Sequence, residues 1–409
     1  MLLAAMTCGC AARPNVATES PDVRVVYAMP GQTLKQLIDS LPPTGGVVML
    51  GSGKWISGYR AGDVISKPNV TIQGSGMPQF NSDYTAMEGG TVLLGPIGAS
   101  TGADYFTVKD LGVDAGQAYI NGQNGGIPTD ALDIFNNGQV IGAPPVESPL
   151  IENVSCLGYS LTAPNHCMLV ENVNNAMVRN VSTVYNQHGL VLKGTNSTVD
   201  GVYSRGHGND SVIVKSDAYA PASDDTLSNI TIEPLLSPGD TKGIIITGVG
   251  APVRDIKISN VRARSPLWWG IYAQGDSANT SVTGLSFSDI SVDNPSGSPA
   301  SDFCMQFVQY VRRVNINELN CSNVGIGISA YLPVNGGFYD YMLTNSHFSK
   351  ISSDAVQTYG GWRIYDNSFD SVGGNGIVNL GGEDLVDFNS FVSIGGSDML
   401  SAGGTFVTP

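Results

Sequence analysis

The chain has 409 residues, 51 of them glycine, and only 13% are charged, with 20 Lys and Arg against 35 Asp and Glu for a formal net charge of −15. That balance argues against a nucleic-acid partner, whose phosphates need a concentrated basic face, and against docking on an anionic membrane. An apolar fraction of 42% is enough for a large core and excludes a disordered chain, and no apolar run approaches the roughly 20 residues of a membrane span.

Residues 1–24 read as a leader and tether. Met1 to Gly9 is short and apolar, and Gly9-Cys10 resembles the end of a bacterial lipoprotein signal with Cys10 as the lipidated residue, although Thr7 stands where an aliphatic residue is usual. The expectation is an exported protein: periplasmic, cell-surface or secreted, touching a membrane only through a lipid at Cys10. Residues 25–409 then form one domain. Leu34, Leu37, Ile38 and Leu41 lie at i, i+3, i+4 and i+7, which predicts a short helix over 33–41, stopped by Pro42 and Pro43 and placed to cap a β stack. After Gly45-Gly46 only strand-type runs follow, beginning with Val47–Leu50, Asn69–Ile72 and Thr91–Leu94.

A repeat then dominates. A small residue with apolar residues at +1 and +3 recurs at Ala131, Cys167, Gly189, Ser211, Gly243, Gly270, Cys304, Gly325, Ala355 and Gly376, in steps of 21 to 36 residues. Between these lies a second strand family, seen at 253–261, 282–290, 311–319 and 362–369. Short strands repeating every 20–35 residues, with no helical period between them, predict coils stacked on one axis. The fold class is all-β: a right-handed parallel β-helix of about ten rungs. A propeller fits less well, since its blades need about 40 residues and four strands each.

The helix, the Gly-Gly-Val-Val start, Asn69-Val-Thr-Ile-Gln-Gly and the rungs together resemble the pectate-lyase-like superfamily over about residues 25–400. The resemblance implies the parallel β-helix. It leaves the reaction open among polysaccharide lyases, glycoside hydrolases, epimerases and phage tailspikes. Gly206-His207-Gly208 is similar to the Gly-His-Gly of polygalacturonases. The rest of that family's site has no counterpart: Asn186, Gln187 and His188 stand where an Asp-Asp pair belongs, and no Arg-x-Lys follows. His207 is therefore a candidate on its own chemistry.

Consecutive rungs lie about 4.8 Å apart, so equivalent positions form files. One place before the small residue reads Asp130, His166, His188, Asp210, Lys242, Trp269, Phe303; four places after it reads Phe135, Glu171, Lys193, Lys215, Thr247. Three of the four histidines fall between 166 and 207. The expected catalytic set is His188, His207, Lys193, Lys215 and Asp210, with His166, Glu171 and Asp217 beside it to bind substrate. Stacked Lys193 and Lys215 would depress a lysine pKa and make a better base. Trp268, Trp269, Tyr272 and Phe303, with Tyr331, Tyr359 and Trp362 further on, offer faces on which sugar rings stack.

Cleavage of a uronate glycan by β-elimination needs a neutralised carboxylate and a base near the C5 proton, which Lys and His supply. Hydrolysis needs two carboxylates, here Asp210 and Asp217. Elimination of an acidic polysaccharide is the preferred reading. A hydrolase, a non-catalytic glycan-binding surface protein and a trimeric tailspike are its rivals.

No metal ligand is assigned. Asp210, Asp217, Asp224 and Asp225 are oxygen donors of the kind Ca²⁺ takes, and no Cys or His spacing fits zinc. Cys167 and Cys304 sit in the small-residue column as buried thiols, unless export lets Cys156–Cys167 or Cys304–Cys321 pair. Asn-x-Ser/Thr at Asn153, Asn180, Asn229 and Asn279 reads as strand pattern, not glycosylation.

Overall fold

A computed structural model describes residues 23–59, 63–116, 130–135, 140–158, 165–233, 242–264, 268–294, 302–330 and 340–408. Among the described residues, apart from one antiparallel hairpin, Gln79–Phe80 with Met87–Glu88, every strand pairing is parallel and belongs to one continuous sheet. The chain is a parallel β-helix, running from Val25–Tyr27 at one end to Gly404–Val407 at the other. Residues 1–22 of the leader and tether, Cys10 among them, and Tyr331 lie outside the described residues.

The small-residue column is real and follows the coil axis. Met168 pairs with Leu190, Leu190 with Val212, Val212 with Ile244 and Ile244 with Ile271. One member needs correcting: Met305 pairs with Ile328, which places Gly327, not Gly325, beside Cys304. Gly325-Ile326-Gly327-Ile328 offers the motif twice, and a slip of two residues keeps the same face. The stack also continues one strand beyond the column at each end, at Ile97–Ser100 and Met399–Ser401.

The column is small because it is crowded both by the backbone of the next rung, whose carbonyls a Cβ on Gly189, Gly270 or Gly327 would meet at 2.7 Å or less, and by the opposite wall. A Cβ on Gly189 would stand 2.8 Å from Thr183 Oγ1, one on Gly270 2.7 Å from Val292 Cγ2, and one on Gly327 2.7 Å from Phe348 Cδ1. Thr183, Val292 and Phe348 belong to a single file of the second strand family that also holds Cys156 and Cys321. Both disulfides, Cys156–Cys167 and Cys304–Cys321, cross between these two files. Cys167 and Cys304 are thus bonded rather than free thiols.

The second-family strands bend where a residue takes the left-handed conformation: Asp110, Asn153, Asn180, Asn229, Asn260 and Asp289 all have φ between 47° and 57°. Short side chains that bond locally tolerate that region. They also form a ladder, with Asn180 Nδ2 donating to Asn153 Oδ1 at 2.7 Å and Asn153 Nδ2 to Asp110 Oδ1 at 2.8 Å. Asn153, Asn180 and Asn229, three of the chain's eight Asn-x-Ser/Thr matches, are therefore corner residues of the coil.

The helix spans Leu34–Asp39, with a capping box between Thr33 and Gln36 and with Leu34, Leu37 and Ile38 buried. Lys67 Nζ donates to the carbonyls of Ile38 and Leu41, both at 2.9 Å, and so satisfies its C-terminal end. Toward the far end, aromatic side chains fill the coil. Phe348, Phe369 and Phe391 stack at 5.1 and 4.9 Å, and Tyr341 lies 4.6 Å from Trp362. Trp362 is thus part of the core, fully buried, and is no glycan platform. Its Trp-x-Ile alternation is that of an inward strand face, which the sequence reading took for a surface.

Candidate functional site

The outer face of the column sheet carries three parallel files. Two are the expected charged ones. The third lies between them and reads Asp133, Leu169, Val191, Ile213, Ile245, Tyr272, each paired with the next. Its apolar members form a cluster of their own in which Val191 is only 2% exposed. The site therefore has an apolar floor with a polar file along each side.

On the first side Asp130, His166, His188, Asp210 and Lys242 follow one another. Asp130 Oδ1 accepts from the His166 backbone N–H at 2.6 Å and lies 2.9 Å from His166 Nδ1. The His166 and His188 rings stack at 5.1 Å. His188 Nδ1 is 3.0 Å from Asp210 Oδ2, and Lys242 Nζ is 3.9 Å from Asp210 Oδ1. Lys242 also donates to Asn209 Oδ1 at 2.7 Å and lies over the Trp269 ring at 5.2 Å. Each imidazole thus has a carboxylate near Nδ1: Asp130 hydrogen-bonds that of His166, which leaves its Nε2 as the reactive nitrogen, whereas Asp210 lies beside the His188 Nδ1 without the geometry of a hydrogen bond.

On the second side Lys193 Nζ donates to Glu171 Oε2 at 2.6 Å and to Asp217 Oδ2 at 2.9 Å. Burial works against the ammonium, but the hydrogen bond and charge of Glu171, followed by those of Asp217, raise its pKa. This corrects the expectation of a depressed lysine. Asp217, two residues beyond Lys215, reaches back across the rung and makes Lys193 a locked cation rather than a base. Burial alone would lift the Asp217 carboxyl, yet its bond from Lys193 and the N–H groups of Tyr219 and Ala220 hold it below the usual carboxylate range. Lys215 is half-buried and has no ion pair among the described residues.

His207 is a second correction. It is fully buried, with Nε2 3.1 Å from both Thr183 O and Thr183 Oγ1 and Nδ1 3.3 Å from Asn186 O. Burial, against the hydrogen bonds, lowers its pKa to about 4. It braces the corner between the facing files and cannot meet a polymer outside the coil. Gly206, at φ 65°, turns the chain inward there, which the Gly-His-Gly pattern alone does not reveal.

Downstream, Trp268 is 47% exposed and Trp269, Tyr272 and Phe303 are half-buried. Trp268 and Trp269 meet at 5.6 Å and Trp269 and Tyr272 at 4.8 Å, and Phe303 pairs with Trp269 on the next rung. The oxygen donors weighed for Ca²⁺ do not converge: Asp224 occupies a left-handed corner, Asp225 is fully buried and accepts from the Ser197 N–H, and Asp210 and Asp217 bond on opposite sides of the floor. Among the described residues no three His, Cys, Asp or Glu side chains form a metal cluster.

Asp133 was missed by the sequence reading. It interrupts the apolar floor at its upstream end, makes no hydrogen bond among the described residues, and keeps Oδ1 shielded from solvent. Burial, followed by the charges of Asp130 and Glu171, raises its pKa well above the carboxylate range, with Lys193 opposing. Its signal was available: Leu132-Asp133-Ile134 puts an acid where the next five rungs carry Leu, Val, Ile, Ile and Tyr.

No protein-family model and no curated protein matches the chain. Among solved structures it is similar to the A-module of the Azotobacter vinelandii mannuronan C-5 epimerase AlgE4, at 12% identity and TM-score 0.52 over 89% of this chain and 91% of that one. It is also similar to the catalytic domain of a GH87 α-1,3-glucanase in complex with nigerose (12%, TM-score 0.49, 98% and 69%) and to PfbA, a surface adhesin of Streptococcus pneumoniae (11%, TM-score 0.47, 90% and 87%). At such identity the likeness to the epimerase module shows a common fold and nothing of the site.

Proposed function

We propose that this is an exported β-helix protein that cleaves an acidic, uronate-containing polysaccharide on the outer face of its column sheet, by β-elimination. The observation that carries the reading is the stacked pair of imidazoles with a carboxylate at each Nδ1. A glycan lying along the floor meets His166 and His188 on one side, Lys215 and Lys242 at the downstream end, and Trp269, Tyr272 and Trp268 beyond. In elimination a base removes the C5 proton, the electron pair forms the C4–C5 double bond, and the C4–O bond breaks. In this reading His188 Nε2 takes the proton, and His166 stands one rung upstream. Lys215 and Lys242 bring positive charge toward the uronate carboxylate, which must be neutralised for C5 to lose its proton. The two disulfides support export, since such bonds persist in oxidising compartments.

A glycoside hydrolase is the second reading, favoured by Asp133 lying near Asp130 and Glu171. It no longer rests on Asp210 and Asp217, which are engaged by His188 and Lys193. The mannuronan named for the epimerase module keeps a polyuronate such as alginate in the trial set, with neutral glycans as controls. Incubation with pectin, alginate, glucuronan and neutral glycans, with and without Ca²⁺, is read by reducing ends and by the ultraviolet absorbance of an unsaturated uronate. Both signals rising supports elimination, and reducing ends alone supports hydrolysis. Silence in both, with retention of a polymer in affinity electrophoresis, replaces the enzyme with a glycan-binding protein.

A further inference from the structure

We infer that Asp133 is the catalytic residue that protonates the leaving glycosidic oxygen, standing at the upstream end of the apolar floor between the file of Asp130 and the file of Glu171. The assignment rests on the glycan-cleaving reading above and holds for either reaction, because elimination and hydrolysis both break a C–O bond whose oxygen needs a proton.

Three features set this carboxyl apart. Its position in the register is shared with Leu169, Val191, Ile213, Ile245 and Tyr272 on later rungs, so an acid stands where the fold otherwise places an apolar residue. It lacks the partners of the other carboxyls in the site: Asp130 bonds His166, Asp210 lies against His188, and Glu171 and Asp217 bond Lys193. Its residue is only partly exposed, and its Oδ1 is shielded from solvent without a hydrogen-bond partner. A carboxyl with no bond to hold it as an anion, beside two other acids, keeps its proton. Asp130 on its own turn, and Glu171 and Lys193 on the rungs that follow, are the charged groups facing it. The strand on its other side, Ile97–Ser100, has no ionisable side chain. Burial and the two acids hold its pKa well above the carboxylate range, opposed by Lys193.

The step balances simply. The Asp133 O–H proton passes to the glycosidic oxygen as the C–O bond breaks, leaving a carboxylate. In elimination the proton taken from C5 restores the acid through solvent. In hydrolysis the entering water supplies it.

The test uses whichever polymer the unaltered protein cleaves. Asp133→Asn is expected to lower kcat by about 10²–10⁴-fold with KM changed little, and to remove the alkaline limb of the pH–kcat profile. The same substitution, and Asp133→Leu as a second variant that completes the apolar file, is expected to raise the thermal midpoint, because each removes an unpaired acid from among acids. A structural aspartate would show the reverse, stability lost and kcat kept. Asp133→Asn retaining kcat within about twofold overturns the assignment while the cleavage reading stands. An unaltered protein that cleaves nothing removes both.

Discussion

His166 and His188 stack with centroids 5.1 Å apart and planes 22° apart, and each has its own aspartate within 3.0 Å of Nδ1. The two rings occupy equivalent places on adjacent rungs, so a sugar lying along the coil meets both. Such a pair works as a unit when one ring takes a proton while its neighbour stays neutral. His188→Gln is therefore expected to lower kcat by about 10²–10⁴-fold, and His166→Gln by a similar factor. The double variant should be no worse than the more damaged single one, as for residues that act together. Single-turnover rates on the cleaved polymer check this, and losses that multiply would give the rings separate duties.

The rungs were legible because the fold repeats one constraint: a small residue wherever the column faces Thr183, Val292 or Phe348 across the interior. Files of side chains followed from register alone, which is why His166, His188 and Asp210 were placed together. Partners beyond the register were not legible. Lys193 was matched with Lys215 by spacing, whereas Asp217, which binds it, comes from the turn after that strand. His207 was a candidate on its imidazole chemistry and its nearness to the charged files, and the corner that turns it inward depends on the opposing wall, which the spacing does not reveal. Asp133 escaped because attention fell on the two polar files and not on the one polar member of an apolar file.

Lys193 holds two carboxylates, and Glu171 is only 2% exposed. Removing the cation leaves a buried charge without its partner, which costs about 3–5 kcal/mol. Lys193→Met should lower the urea midpoint accordingly, and Glu171→Met combined with it should recover much of the loss, since Asp217 reaches solvent. A Lys193→Met variant as stable as the parent would mean that the triad contributes little.

His207 and Asp225 give opposite pH dependences in the same range. His207 has its pKa lowered from 6.5 to about 4 by burial. As pH falls through that window the unfolded chain takes up a proton that the folded one refuses, and stability drops. Asp225 has its pKa raised from 3.8 to about 7, again chiefly by burial. As pH rises through that window the unfolded chain releases a proton that the folded one keeps, and stability again drops. Each slope is at most about 1.4 kcal/mol per pH unit, so the two largely cancel between their overlapping limits. Asp302 and Asp384, each raised to about 6 by burial, and Asp133 share the sign of Asp225, so the variants are compared with the parent: Asp225→Asn should shift the slope of stability against pH upward across the window, and His207→Gln should shift it downward. Urea melts at a series of pH values read both signs directly.

Trp268 and Trp269 differ in what they offer a ligand. Trp268 is 47% exposed, while Trp269 is half-buried, packed against Tyr272 at 4.8 Å, and has its Nε1 shielded without a hydrogen-bond partner. Trp269 also lies beneath Lys242 Nζ at 5.2 Å, so the ammonium and the ring meet at the downstream end of the charged file. A sugar stacked on Trp268 is held by an exposed face alone, and its loss removes binding without touching the reacting groups. Trp268→Ala should therefore raise KM by roughly 2–10-fold, as for an aromatic contact of about 0.5–1.5 kcal/mol, with kcat unchanged. Trp269→Ala removes the ring under Lys242 as well, leaving the ammonium to Asn209 and Asp210 alone, and on the elimination reading this disturbs its approach to a uronate carboxylate. Its effect should fall on kcat as well as KM, because charge neutralisation is needed at the step and not only in the bound state. Steady-state kinetics on polymer and on short oligomers separate the two variants. Oligomers too short to reach Trp268 should be cleaved equally by the parent and Trp268→Ala, and a loss there as large as on polymer would place the sugar path elsewhere on this face.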